Sequence, residues 1–247
     1  MLPFPRRAVI LFSRSPREEE AAKHLPQVGF GARGLFSETR RRLAGEIARG
    51  LPETRLLLAG GGELPEGALR LVQHGDTFAE RVDNALRDAA ELGFQEIVLI
   101  AGDVPGLRAF HLHAAFAALS DRRIALGPSP DGGVYLIGLR AEAQDLVEGV
   151  RWRTPHVLSD LRRRAALRGC PAVVLAPLRD IDSRLDLPLL LSDPELDLRS
   201  RSIVRSLVHT ETPPRPPRLE ARPLQGATID RPIRGPPPPD PGYTTTV

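Results

Sequence analysis

The stretch "IVLIAGDVPGL", Ile97 to Leu107, decides the fold class. Ile97 to Ala101 is an unbroken aliphatic run, the pattern of a strand covered on both faces, as in a parallel sheet packed between helices. Gly102, Pro105 and Gly106 then end it. A lone aspartate, Asp103, stands just beyond the strand, where open α/β sheets place ligands and metals. The same residue is also placed to cap a helix running from about Pro105 or Leu107 to Leu119.

Outward from this point, aliphatic runs alternate with helical patterns. Strands are expected at Ala8–Phe12, Arg55–Gly60, Ile97–Ala101, "RIALG", "GVYLIGL" and "AVVLA". Between them, "SETRRRLAGEIARGL" reads as a helix with Ser37 as candidate N-cap. "TFAERVDNALRDAAELG" is another, with Phe78, Val82, Ala85, Leu86 and Ala89 at helical spacing. "FHLHAAFAAL" and "PHVLSDLRRRAALRG" complete the set. This alternation predicts a three-layer α/β domain with a mainly parallel sheet. This domain is expected over residues 1–208. From Glu211 onward, eleven of 37 residues are proline and few are large and apolar. Such a segment cannot offset its ordering entropy, so 209–247 reads as a disordered Pro/Arg-rich tail of polyproline II character. "PPRPPR" and the terminal "TTTV" resemble SH3 and PDZ ligands, short patterns that this composition produces by chance; a tail-mediated protein partner has no other support.

The apolar share, 41%, is enough for a substantial core. No run approaches the roughly 20 apolar residues of a membrane helix, and the apolar start is too short for a secretory signal. With Cys170 alone, there is no disulfide framework and no cysteine metal site. A soluble cytoplasmic protein, not bound to membrane or nucleic acid, is the expectation. The pI of 9.7 accompanies a net charge of only +3. Lys23 is the only lysine among 34 basic residues, so guanidinium groups hold a slight excess to high pH without a strong field. "LRRRAALR", Leu161–Arg168, reads as one solvated helix face. "GFGARG", Gly29–Gly34, fits the dinucleotide pattern but lies some 15 residues beyond the first strand, so a flexible loop is the better reading. The two histidines of "HLH", His111 and His113, do not share a helix face and make a poor chelate.

Three further segments can carry chemistry. In "LGPSPDGGVYLIGL", Gly132 and Gly133 allow close approach of the backbone to a ligand. Asp131 beside them can accept a proton from an attacking hydroxyl, or can serve simply as a turn residue. In "LRDIDSRLDL", Asp180 and Asp182 point the same way if the chain is extended, so both can face one cation; Asp182 or Ser183 can equally cap the next helix. In "LVQHGDTFAERV", Thr77 and Glu80 fit a capping box, and Arg81 is placed to reach a phosphate.

"QHGDTFAERV", "IAGDVPGL", "GPSPDGGVYLIGL", "VRWRTPHVLSDL" and "RDIDSRLDL", in that order, resemble the glycosyltransferase family labelled arsenosugar-biosynthesis-type or DUF2064. The resemblance spans about Arg7 to Leu191. It implies a GT-A, nucleotide-diphospho-sugar transferase fold and a bound Mg²⁺ or Mn²⁺. It implies Asp103 as the metal-binding acidic residue, Asp182 as a second ligand, and Asp131–Gly133 as part of the substrate site. Trp152 and Thr154 match its Trp-x-Thr element on the acceptor side. One stretch departs from the family: a Pro-Gly loop ending in Lys-Thr-Arg-Leu is replaced by "SRSPREEEAAKHLP". Glu18, Glu19 and Glu20 then stand in the loop, where they would repel a diphosphate unless a cation intervenes. Arg14 is best placed there to supply positive charge, with Lys23 and His24 behind it.

These features together point to a metal-dependent glycosyltransferase that takes a nucleotide-sugar donor and a small-molecule acceptor. The metal and Arg14 or Arg81 would hold the donor diphosphate, and Asp131 would orient the acceptor or act as base. A nucleotidyltransferase on the same fold is the nearest rival. A degenerate domain that binds a nucleotide or a partner is the third.

Overall fold

The computed structural model describes residues 6–25 and 31–209. The expected tail, with its SH3- and PDZ-like motifs, and residues Gly29 and Phe30 lie outside this set. Seven strands form one sheet: β1 (Arg7–Phe12), β2 (Thr54–Ala59), β3 (Leu69–Leu71), β4 (Glu96–Ala101), β5 (Ile124–Pro128), β6 (Val134–Arg140) and β7 (Ala172–Val174). Their order is β3-β2-β1-β4-β6-β5-β7. Only β6 runs against its neighbours. Central β1 pairs in parallel with β2 and β4, Ile10 standing opposite Leu57 on one side and Leu99 on the other.

The double coverage read from "IVLIA" follows from side-chain alternation along each strand. Ile97 and Leu99 join one core with α3 (Phe78–Glu91) and α5 (Val157–Leu167). Val98 and Ile100 join a second core on the opposite face, with α2 (Gly31–Gly50) and α4 (Ala109–Ser120). A third core lies beside the sheet. There Leu35 and Phe36 of α2 pack with Ile181, with Leu187 and Leu190 of α6 (Asp186–Leu190) and with Val204 and Leu207 of α7 (Leu198–His209).

Several local expectations are corrected. Glu18–Glu20 do not stand in a loop: they belong to helix α1 (Pro16–Ala22). Ser15 caps it, accepting from the Glu18 amide, while the Glu18 carboxylate accepts from the Ser15 amide at 2.8 Å. Pro16 at the first helical position has no N–H to leave unsatisfied. Helix α2 already includes Gly31, so Ser37 lies inside it and caps nothing, and most of "GFGARG" is helix. Asp103 is no cap either, because α4 starts after Arg108, whose amide is met by His111 Nδ1 at 3.1 Å. The Thr77–Glu80 capping box is formed as expected. On α5, Leu161 is buried and Arg162 and Arg163 are exposed.

Ser15→Ala removes the side-chain acceptor at the start of α1 and should cost about 1 kcal/mol of stability in urea denaturation, with an unchanged m-value.

Candidate active site

The parallel strands all end at one edge of the sheet, and the antiparallel β6 starts there. Asp103 after β4 and the Asp131–Gly133 turn before β6 are therefore brought to the same edge. The chain after β7 returns along it: the Leu178 amide donates to Pro128 O, and the Ile181 amide donates to Asp103 O at 3.0 Å. Ile181 is fully buried in the third core. In an extended segment its neighbours Asp180 and Asp182 then face the other way, toward the strand ends. One oxygen from each of Asp131, Asp180 and Asp182 lies within 4.8 Å of the others. The Asp182 carboxylate caps no helix, since the amides before α6 are met by Asp186 and by Ser183 Oγ.

Lys23 closes this acidic centre. Its Nζ, buried, donates to Asp103 Oδ2 and to Ile181 O, with Asp182 Oδ1 at 3.7 Å and Glu19 Oε2 at 3.9 Å. Burial pulls the Lys23 pKa down, but Asp103, Glu19 and Asp182 outweigh it and hold the ammonium above its ordinary value. Asp180 is left with repulsion: burial first, then the charges of Asp103, Asp182 and Asp131, push its pKa up to about 7. Burial also raises Asp182, opposed by Lys23. A hard divalent cation fits the carboxylate oxygens of Asp131, Asp180 and Asp182, whose negative charge Lys23 offsets only in part.

A cleft of about 330 Å³ opens at this edge. It is lined by Arg14, Lys23, Asp103 and Asp182 and by Phe78, Arg81, Trp152 and Arg153. A more open groove of about 840 Å³ adjoins it over the loops after β1 and β2, sharing Ser13, Arg14 and Gln73. Two glycines permit this crowding. A Cβ on Gly102 would stand 2.4 Å from Ser13 Cβ, and Gly132, at φ +89°, would put one 2.3 Å from Pro155 O. Gly132 O also accepts from the Leu158 amide, so the Asp-Gly-Gly turn is docked on the segment that follows Trp152.

The glutamates of α1 are engaged by the protein. Glu19 Oε1 accepts from the Arg14 amide at 3.0 Å, and Glu20 Oε1 from the Arg33 amide at 3.2 Å. Beneath them Arg40, buried in α2, donates to Ser13 Oγ at 2.6 Å, to Arg14 O and to Gly61 O at 2.8 Å. Asp131 Oδ1 accepts from the Gly133 amide at 2.9 Å. The Thr154 hydroxyl is held inside its own turn, donating to Arg151 O and accepting from the His156 amide. Trp152 packs edge-on against Phe78, with ring centroids 5.6 Å apart. Sequence reasoning missed the Lys23–Asp103 pair and Arg153; the signal for the first was that the chain keeps a single lysine.

Residues 43–154 match the model of the family described as "Uncharacterized protein conserved in bacteria (DUF2064)". The resemblance read from the sequence is borne out there. No curated protein matches the chain. Among solved structures, a "putative nucleotide-diphospho-sugar transferase" from Desulfovibrio desulfuricans G20 is 22% identical, with a TM-score of 0.67 over 82% of this chain and 94% of that one. That likeness shows the fold: the domain is nucleotide-diphospho-sugar transferase-like. A homologue of Mycobacterium tuberculosis Rv0371c from Mycobacterium sp. strain JC1 is 16% identical (TM-score 0.47; 84% and 99% covered). A cytidylyltransferase from Leptospira borgpetersenii is 12% identical (TM-score 0.46; 83% and 93%).

The folded pKa of Asp180 lies above the roughly 3.9 of an unfolded aspartate, so between these values the folded state holds a proton that the unfolded chain has lost. Stability in chelator should therefore fall as pH rises from about 4 to about 7, by up to about 4 kcal/mol from this residue. Asp180→Asn should flatten that slope in denaturation curves taken at pH 5 and pH 8.

Proposed function

We propose that the protein is a metal-dependent glycosyltransferase that takes a nucleotide-sugar donor. The observation that carries this reading is the convergence of Asp103, Asp131, Asp180 and Asp182 beside a buried lysine at the mouth of the strand-end cleft. Asp180 and Asp182 would hold Mg²⁺ or Mn²⁺, with Asp103 and Asp131 in the same acidic centre. A cation bound there neutralises charge that develops on a departing diphosphate. The open groove over the loops after β1 and β2 suits the nucleotide. Arg14, which lines both cavities, is placed to hold the diphosphate between them. Lys23 supplies a fixed positive charge at the same end.

Asp131 faces the acceptor. Its Oδ1 is fixed by the Gly133 amide, which orients the carboxylate to take the proton of an attacking hydroxyl. Gly132 and Gly133 hold that turn without side chains of their own. Trp152 forms the apolar wall of the acceptor end, and Thr154 shapes the turn that carries it. The compact ammonium of Lys23, beside Asp103, also favours a second reading. It suits pyrophosphate release from a nucleoside triphosphate, which is nucleotidyl transfer on the same fold.

Incubation with UDP-, GDP-, ADP-, CDP- and dTDP-sugars and with nucleoside triphosphates separates the two by product. Metal-dependent release of one nucleoside diphosphate is the expected result; pyrophosphate release moves the assignment to nucleotidyl transfer. Asp131→Asn should lower kcat by about 10²-fold or more, with donor binding by calorimetry retained. No turnover and no thermal shift with any of these compounds overturns both readings.

A further inference from the structure

The Phe78–Trp152 end of the cleft carries two arginines with no hydrogen-bond or ion-pair partner among the described residues. Arg81 and Arg153 both line it, and neither guanidinium makes a hydrogen bond or ion pair to a described residue. Glu80, next to Arg81, is held by the amides of Asp76 and Thr77. Arginines elsewhere at this level of the fold are tied down: Arg40 to the loops after β1 and β2, Arg108 to Glu46, Arg151 to Asp160. Arg81 and Arg153 are both anchored beside one aromatic pair. Phe78 and Arg81 lie one turn apart on α3, Trp152 and Arg153 are neighbours, and the Phe78 and Trp152 rings touch.

Arg153 is held there against its backbone preference. Its φ is +60°, a conformation that a β-carbon disfavours and that persists only where the surroundings impose it. The constraints sit on both sides of it. Upstream, Arg151 is clamped to the buried Asp160 through its side chain and its amide, and the Trp152 amide donates to Val150 O. Downstream, Thr154 Oγ1 donates back to Arg151 O at 2.7 Å.

We propose that this end of the cleft is an anion subsite, and that the acceptor is therefore an acid: a small molecule with a carboxylate or phosphate on a flat, apolar body. The anion pairs with Arg81 and Arg153 by charge-assisted hydrogen bonds, and the body lies against Trp152 and Phe78. That the ligand is the acceptor rests on the transferase reading above; that the pocket takes an acid does not. The hydroxyl to be glycosylated would then extend toward Asp131 and the acidic centre.

Trp152 is the only tryptophan, so its fluorescence reports on this pocket directly. The full chain is titrated with phenyl phosphate, with benzoate and with neutral benzyl alcohol, and each titration is repeated at high salt. The expected result is saturable quenching by an acid, at least about tenfold tighter than by benzyl alcohol and weakened by salt. The tighter of the two acids identifies the group. Arg81→Gln and Arg153→Gln should each weaken it by about tenfold, and Arg162→Gln on the exposed face of α5 should not. Arg153→Gly relieves the left-handed backbone, so its binding loss, at an unchanged or higher Tm, is not unfolding. Equal quenching by acid and alcohol, no saturation by about 10 mM, or indifference to the Arg81 and Arg153 changes overturns the proposal. So does displacement of the acid by whichever nucleotide the donor panel identifies, since the arginines would then hold the donor. If no nucleotide binds while the acid still does, the transferase reading fails and the anion subsite stands.

Discussion

The structure depends on how it tolerates negative charge at the end of its sheet. Two unit charges about 4 Å apart interact by about 4 kcal/mol at an effective dielectric constant near 20, so a group of aspartates brought this close destabilises the fold unless something opposes it. The Lys23 ammonium provides the opposition for Asp103 and Asp182, and it also bonds the carbonyl of Ile181, between Asp180 and Asp182. It cannot reach all of them equally, and Asp180 shows the remainder as a carboxyl that titrates near neutrality. A site that is strained in this way when empty is prepared to gain free energy from a cation.

The first loop departs from the pattern of the family that the sequence resembles, and its acidic residues find partners within the fold. Three glutamates in sequence beside an expected diphosphate would be repulsive if they pointed at it. Glu18 lines the open groove and Glu19 the cleft, but each of the three meets a backbone amide: Glu18 at the cap of α1, Glu19 at Arg14, Glu20 at Arg33. Glu19 also lies 3.5 Å from the Arg14 guanidinium. Arg40 then ties the loop after β1 to the loop after β2 from below. The acidic run thus builds a short helix that presents Lys23 and leaves Arg14 where the two cavities join.

Much of this was legible locally. Continuous burial along β1 and β4, with side chains alternating between two cores, repeats the aliphatic runs of the sequence, and the Thr77–Glu80 box forms as its spacing implies. The Ser15–Glu18 box has the same spacing, and it sets Glu18–Glu20 in the helix that it starts. Helix α7 was harder to see. Its buried residues Ser200, Val204 and Leu207 match a surface that α2 and α6 create, and isolated hydrophobic spacing does not say which surface that is.

The sequence by itself determined the layered α/β class, the strand-end position of Asp103, and the glycines that let its neighbours approach. Those are consequences of side-chain period and backbone freedom, which act over a few residues. Only the tertiary structure decided which carboxylates meet. Asp131 and Asp180 are 49 positions apart, and they converge because β6 runs antiparallel and the buried Ile181 fixes the facing of the return strand end. The pairing of Lys23 with Asp103, and the meeting of Arg81 and Arg153 in one cleft with Trp152, were decided in the same way. Contacts between distant segments follow from the order and direction of the strands, which no local pattern encodes.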